Sequence, residues 1–193
     1  MINRHYLAAV ATIHSSFQEK KDFPHVALFD FLDKEVYYQI RKELLGLSLS
    51  PEKRPLFHSY SSAPVPSSLR RTLFSPTVIR FIAEITGKKR KREINFNQAQ
   101  VYSFSARDYT LLNDSYKEKP GIDLIFDFTD GWGPSSGGQI TYVNGTGDAL
   151  QLPIQPNMFA LVRRQKNTQR FVKYLNHRVG KKKRLFVLVR ISE

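Results

Sequence analysis

Apolar positions recur with a helical period at three places in the first half of the chain. Ile2, Tyr6, Ala9, Val10, Ile13 and Phe17 line one face of residues 1–18 and predict an amphipathic helix suited to packing on a sheet. Asp33 is placed to cap a second helix, which carries Val36, Tyr37, Ile40, Leu44 and Leu45 on one side and stops near Gly46. Ser75-Pro76 opens a third: a capping hydroxyl precedes a proline whose missing N–H is one of the orphan donors of a helix start anyway. Val78, Ile79, Ile82 and Ile85 form its buried stripe, and Gly87 ends it. Between the first two helices, Phe23–Phe29 reads as a strand with a proline at its start, where no ladder donor is lost.

The rhythm changes after residue 95. Residues 96–113, 122–128, 139–143, 158–163, 169–175 and 184–191 are β-branched and aromatic, and clusters of Gly, Pro, Asn and Asp divide them into strands. Helices first and many short strands afterwards predict an α+β domain whose sheets form a sandwich or jelly roll. The Ser- and Pro-rich residues 48–68 are expected to be irregular connections. No repeat or low-complexity tract divides the 193 residues. One domain is therefore expected, with an N-terminal helix over 1–22, supporting helices and first strands over 23–95, and the β core over 96–193.

Composition narrows the class. Cysteine is absent, which excludes a disulfide framework, a thiolate zinc site and a Cys nucleophile. No apolar run approaches the roughly 18 residues of a membrane span, and the N-terminus has no uninterrupted apolar h-region. A cytoplasmic location is expected, with the nucleus as the second choice. Lys and Arg number 30 against 17 Asp and Glu, a formal net charge of +13 that favours polyanionic partners through counterion release. Two blocks concentrate this charge: Lys88, Lys89, Arg90, Lys91 and Arg92, and Arg178 with Lys181, Lys182 and Lys183. Both are candidate nucleic-acid contacts, and both also read as solvated loops or import signals.

The chain has no P-loop or G-x-G-x-x-G fingerprint. Gly131–Gly138 reads as a turn loop rather than a phosphate cradle. Asp123 and Asp127 share one face of a strand with Ile125 between them, about 13 Å apart and too far to share a proton. Trp132, Tyr142, Tyr102 and Phe104 offer either stacking surfaces for bases or ordinary core.

Several segments in order carry a family resemblance. Phe23-Pro24-His25-Val26-Ala27-Leu28-Phe29-Asp30-Phe31-Leu32 resembles the opening of the prolyl-hydroxylase-like 2-oxoglutarate/Fe(II) oxygenases, closest to the branch that hydroxylates a proline of a small-subunit ribosomal protein. Ile85-Thr86-Gly87, Trp132 with Gly137-Gly138-Gln139-Ile140, Pro156-Asn157 and Arg184-Leu185 are similar to that branch as well. Asp108-Tyr109-Thr110-Leu111-Leu112-Asn113-Asp114-Ser115 matches the family pattern DYxxxHxD except at its chemistry. The resemblance implies a double-stranded β-helix (jelly-roll) core with supporting N-terminal helices.

The same resemblance places the iron ligands on unsuitable residues. The family's first His falls on Asn113, its carboxylate on Ser115, and its second His on Arg170 within Thr168-Gln169-Arg170-Phe171-Val172. An Fe(II) centre of this kind wants two imidazoles and a carboxylate; an amide and a hydroxyl are poor substitutes, and a guanidinium is repelled. Arg184 falls where the family's arginine pairs with 2-oxoglutarate, although Phe186 replaces the small polar residue often found two positions later. A buried Arg170 would need an anion, either Asp114 or a ligand in the pocket. The expectation is a degenerate, non-catalytic oxygenase fold without a cofactor, serving as a basic binding module for RNA or a ribosomal protein. The alternative is an active prolyl hydroxylase using Fe(II) and 2-oxoglutarate at a rearranged site. A weaker third reading is a structural subunit whose basic loops dock it onto a larger assembly.

Overall fold

Two antiparallel sheets face each other across an apolar interior in the computed structural model, which describes residues 2–54, 56–87, 98–112 and 119–192. The larger sheet runs in the order β1 (His25–Leu28), β9 (Met158–Arg164), β6 (Gly121–Asp127), β11 (Arg184–Ser192), β4 (Ala99–Phe104), β3 (His58–Pro64) and β2 (Ser50–Arg54). A two-residue strand, β5 (Tyr109–Thr110), also pairs with β3. The smaller sheet is β10 (Gln169–Val172), β7 (Ile140–Val143) and β8 (Ala149–Gln151). This curled, antiparallel β core with helices on one side is the jelly-roll arrangement that the strand pattern and the resemblance imply.

Strand alternation sorts the chain into two cores. In β6, Ile122, Leu124 and Phe126 face a helical layer, while Asp123, Ile125 and Asp127 face the space between the sheets. The neighbours follow suit. Phe159 and Leu161 of β9 and Val187 and Val189 of β11 join the helical side, and Ala160, Val162, Phe186 and Leu188 join the inner side. Both faces of β6 are buried, so its run is almost continuously apolar. The helical layer consists of α1 (Arg4–Ala8), α2 (Val10–Glu19), α3 (Lys34–Leu45), α4 (Ser67–Leu73) and α5 (Pro76–Thr86). No helix among the described residues is long and apolar enough to cross a membrane.

The helix starts and stops largely follow the sequence. The Ser75 hydroxyl accepts from the Val78 N–H, Pro76 is the first helical residue, and Gly87 closes α5 in the left-handed conformation at φ +71°. Asp33 and Gly46 bracket α3. Two expectations need correction. The helix expected over 1–18 is interrupted at Ala9, which leaves the five-residue α1 and the ten-residue α2. Residues 48–68 are not irregular: they form the β2–β3 hairpin and the start of α4. Ser and Pro hid this hairpin because β2 is an exposed edge strand, where proline is tolerated and no apolar alternation is required. Its partner β3 is held instead by main-chain pairing to β4.

Asn157 locks the outer strand in place. At φ +57° it turns the chain into β9, and its side-chain amide donates to the Leu32 carbonyl (2.8 Å) while its Oδ1 accepts from the Leu32 N–H (2.9 Å). Its backbone carbonyl accepts from the Phe31 N–H (2.9 Å). Asn157→Ala leaves two buried backbone groups unpaired and should lower unfolding stability by about 2–4 kcal/mol in urea titrations. Asn157→Gly, which tolerates the positive φ, should cost about 1 kcal/mol less.

His25 gives the fold a pH response. Its Nδ1 lies 2.6 Å from the Phe23 carbonyl, its backbone carbonyl accepts from Lys20 Nζ (2.9 Å), and the same ammonium stands 3.4 Å from Nε2. Burial, and then Lys20, hold its pKa below the ordinary 6.5 against the raising effect of the Phe23 carbonyl. The unfolded chain therefore binds a proton here that the folded chain refuses, and stability rises with pH across the interval between the folded value and 6.5. Acidification through that interval should lower the urea midpoint, and this portion of the loss should disappear in His25→Gln.

Candidate functional site

β6 carries a buried carboxylate at each end of its inner face, and each collects cations from other strands. Asp123 is 0% exposed; its Oδ1 accepts from Arg164 Nε on β9 (2.9 Å), and its Oδ2 accepts from the Tyr142 hydroxyl on β7 (2.9 Å) and from Arg170 Nη1 on β10. The β10–β7 register sets Arg170 opposite Tyr142, so both reach the same carboxylate across the gap between the sheets. Burial, and then the Asp123 charge, push the Tyr142 phenol well above its ordinary value, which keeps it a hydrogen-bond donor.

At the other end, Asp127 Oδ1 accepts from Arg184 Nη1 at 2.6 Å and from the Thr129 N–H at 2.9 Å. Arg184 also donates to Thr129 Oγ1 and to the Gly138 carbonyl (3.2 Å). Both side chains of the pair are completely buried. Burial raises the Asp127 carboxyl and lowers the Arg184 guanidinium, while their mutual attraction opposes both shifts. Asp127 Oδ2 and Arg184 Nη2 have no hydrogen-bond partner among the described residues. The Arg184 guanidinium lies 4.9 Å from the centre of the Phe186 ring, which lines the neighbouring cavity.

That cavity, about 380 Å³, opens between β3, β4, β10 and β11. Arg54, Arg170 and Arg190 line it together with Tyr60, Tyr102 and Phe186. Tyr102 stacks on Phe186 with ring centres 5.4 Å apart, and its hydroxyl donates to Gln100 Oε1 at 2.7 Å.

The residues singled out by sequence separate into four groups. Arg170 lies at the cavity, where its guanidinium is ion-paired with Asp123. Arg184 lies on the same inner face but at the far end, held by Asp127. Arg178, Lys181, Lys182 and Lys183 are exposed on the loop leading into β11, where Lys182 Nζ donates to the Gly131 carbonyl at 2.5 Å. Asn113, Asp114 and Ser115, and the block Lys88, Lys89, Arg90, Lys91 and Arg92, lie outside the described residues. The Trp132 motif has a physical basis: its indole N–H donates to the Gly137 carbonyl (2.8 Å), and a Cβ on Gly137 would meet the Tyr174 carbonyl oxygen at 2.0 Å. Tyr142 and Phe104 are core residues, 0% exposed.

Sequence reasoning missed the Asp123 network and the contributions of Arg54, Tyr60 and Arg190. One signal was available, since two carboxylates within an otherwise apolar central strand require buried cationic partners.

With this geometry established, comparison with known proteins places the fold. The chain is 33% identical over 93 residues to prolyl 3-hydroxylase OGFOD1 of Mus musculus; the match takes in 47% of this chain and 17% of the mouse protein. It superposes on a 2OG-Fe(II) oxygenase family oxidoreductase of Burkholderia pseudomallei with a TM-score of 0.71 and 10% identity, covering 94% of this chain and 89% of the other. A prolyl-4-hydroxylase of Pseudomonas putida gives a TM-score of 0.68 and 9% identity, covering 94% of this chain and 100% of that one. No protein-family model matches the chain. The fold is that of the prolyl-hydroxylase-like 2OG-Fe(II) oxygenases.

The buried pair on β6 yields a stability test. Asp127→Asn leaves Arg184 charged, buried and without its anion, and should lower unfolding stability by about 3–5 kcal/mol. The double variant Asp127→Leu/Arg184→Met removes both charges together and should lose less than that in the same urea titration.

Proposed function

We propose that this chain is a non-catalytic relative of the 2-oxoglutarate/Fe(II) prolyl hydroxylases that acts as a basic binding module for RNA or ribosomal components. The observation that carries this reading is Arg170. At the position where the resemblance puts the second iron-binding imidazole stands a guanidinium, ion-paired with a fully buried carboxylate. With Asn113 and Ser115 at the other two positions, the donor set is an amide, a hydroxyl and a cation, which does not fit Fe(II). Arg184 supports the same reading. Its charge is engaged by Asp127 and it is 0% exposed, in contrast to an arginine held open for the distal carboxylate of 2-oxoglutarate.

The binding half of the proposal rests on charge. A net +13, with Arg178, Lys181, Lys182 and Lys183 exposed on one loop, suits a phosphate backbone better than a neutral partner. The sequence likeness to a prolyl 3-hydroxylase and the resemblance to the ribosomal-protein branch make RNA of the ribosome, or a protein bound to it, the natural partner by analogy. A cytoplasmic or nuclear location is consistent with such a partner.

Anaerobic calorimetry with Mn(II), with and without 2-oxoglutarate, should show no stoichiometric binding. Micromolar binding strengthened by 2-oxoglutarate would replace this reading with a rearranged, active metal site. Single-stranded RNA should bind with an affinity that falls steeply as salt rises. Replacing Lys181, Lys182 and Lys183 together by Ala should reduce the slope of log K against log salt by up to about 2. An unchanged slope would remove the loop from the interface.

A further inference from the structure

We propose that the cavity between β3, β4, β10 and β11 receives a single nucleotide, its phosphate on Arg190 with Arg54 and Arg170, and its base against the aromatic wall. The inference rests on the RNA-binding reading and gives it a specific pocket.

The first support is an imbalance of donors and acceptors. Three guanidiniums line the cavity, and no carboxylate does so among the described residues. Asp123 lies behind Arg170 and engages that one cation. Arg190 Nε is buried and has no hydrogen-bond partner among the described residues. A desolvated, unpaired guanidinium N–H is costly, so it marks a place where an acceptor from outside gains most. The Tyr60 hydroxyl adds another donor that makes no hydrogen bond to the described residues. Burial, followed by Tyr102 and Glu52, raises its pKa to about 12 despite the opposing charges of Arg190 and Arg170, so it keeps its proton at neutral pH. Converging donors in a cavity lined by no carboxylate among the described residues are the complement of an oxyanion.

The second support is the wall. Phe57, Tyr60, Tyr102 and Phe186 give the cavity aromatic surfaces, and the Arg54 guanidinium already stacks 4.6 Å above the centre of the Phe57 ring. Aromatic side chains and guanidinium planes are the usual stacking partners of unpaired bases. An aliphatic dicarboxylate would satisfy the donors and leave this wall unused. The third support is size. A cavity of about 380 Å³ lies at the small end of the range of roughly 300–1,000 Å³ for ligand sites and has room for one nucleotide, not a duplex.

Calorimetry of the full chain with AMP, UMP, inorganic phosphate, 2-oxoglutarate and a single-stranded RNA hexamer tests this. AMP or UMP should bind one to one, at least tenfold more tightly than phosphate or 2-oxoglutarate. Arg190→Met should weaken that binding at least tenfold, and Tyr60→Phe, which removes only a hydroxyl, should weaken it severalfold. The Lys181/Lys182/Lys183→Ala variant should keep its mononucleotide affinity. Displacement of the hexamer by AMP would identify a nucleotide of a strand as the occupant. A hexamer indifferent to saturating AMP would identify the free nucleotide, and either result supports the pocket. Equal affinity for phosphate and AMP, tighter binding of 2-oxoglutarate, or an Arg190→Met variant that folds and binds AMP normally would overturn it. A chain that binds the hexamer through its lysines but takes no mononucleotide would overturn the pocket and leave the binding-module reading intact. Metal binding strengthened by 2-oxoglutarate would instead remove that reading.

Discussion

Asp123 is the constraint around which the two sheets are arranged. A carboxylate cut off from water is tolerable only when cations and hydrogen-bond donors replace its hydration. The donors come from three other strands: Arg164 from β9, Arg170 from β10 and the Tyr142 hydroxyl from β7. β9 belongs to the large sheet, while β10 and β7 belong to the small one. A single side chain therefore joins the two sheets at one end of the interior. Asp127 and Arg184 form a second buried pair at the other end of β6, and the space between is filled by residues such as Ile125, Phe186 and Leu188.

This arrangement also sets what the interior can do. Three guanidiniums, of Arg54, Arg170 and Arg190, line the pocket between the sheets. One of those guanidiniums is fixed by Asp123, and the arginine at the expected co-substrate position is fixed by Asp127. Such a pocket favours anions and offers aromatic surface beside them. The exposed lysines of the loop before β11 extend the same electrostatic character to the outside of the molecule.

Much of the fold was legible because it rests on local rules. Ser75-Pro76 and Gly87 mark the ends of α5 through capping geometry that needs no tertiary partner. The strands after residue 95 are visible because both faces of the central ones are buried and so select β-branched and aromatic residues. The β2–β3 hairpin was invisible for the opposite reason. It is an edge held by main-chain bonds, and its side chains carry little of the signal. In the candidate site, Arg170 and Arg184 could be found because a known pattern pointed to their positions. Arg190, Arg54 and Tyr60 could not, since the β2–β3 hairpin and the distant β11 bring them to one cavity.

The sequence by itself determined the class of fold and the excess of positive charge, because each depends on residue type and local spacing alone. Only the tertiary structure decided which charges meet. Pairing of buried ions is set by strand register and by the distance between sheets, so the partners of Arg170 and Arg184 are Asp123 and Asp127. Neither partner follows from neighbourhood in the chain: Arg170 meets Asp123 across the gap between the sheets and Arg184 meets Asp127 on the adjacent strand, 47 and 57 positions apart.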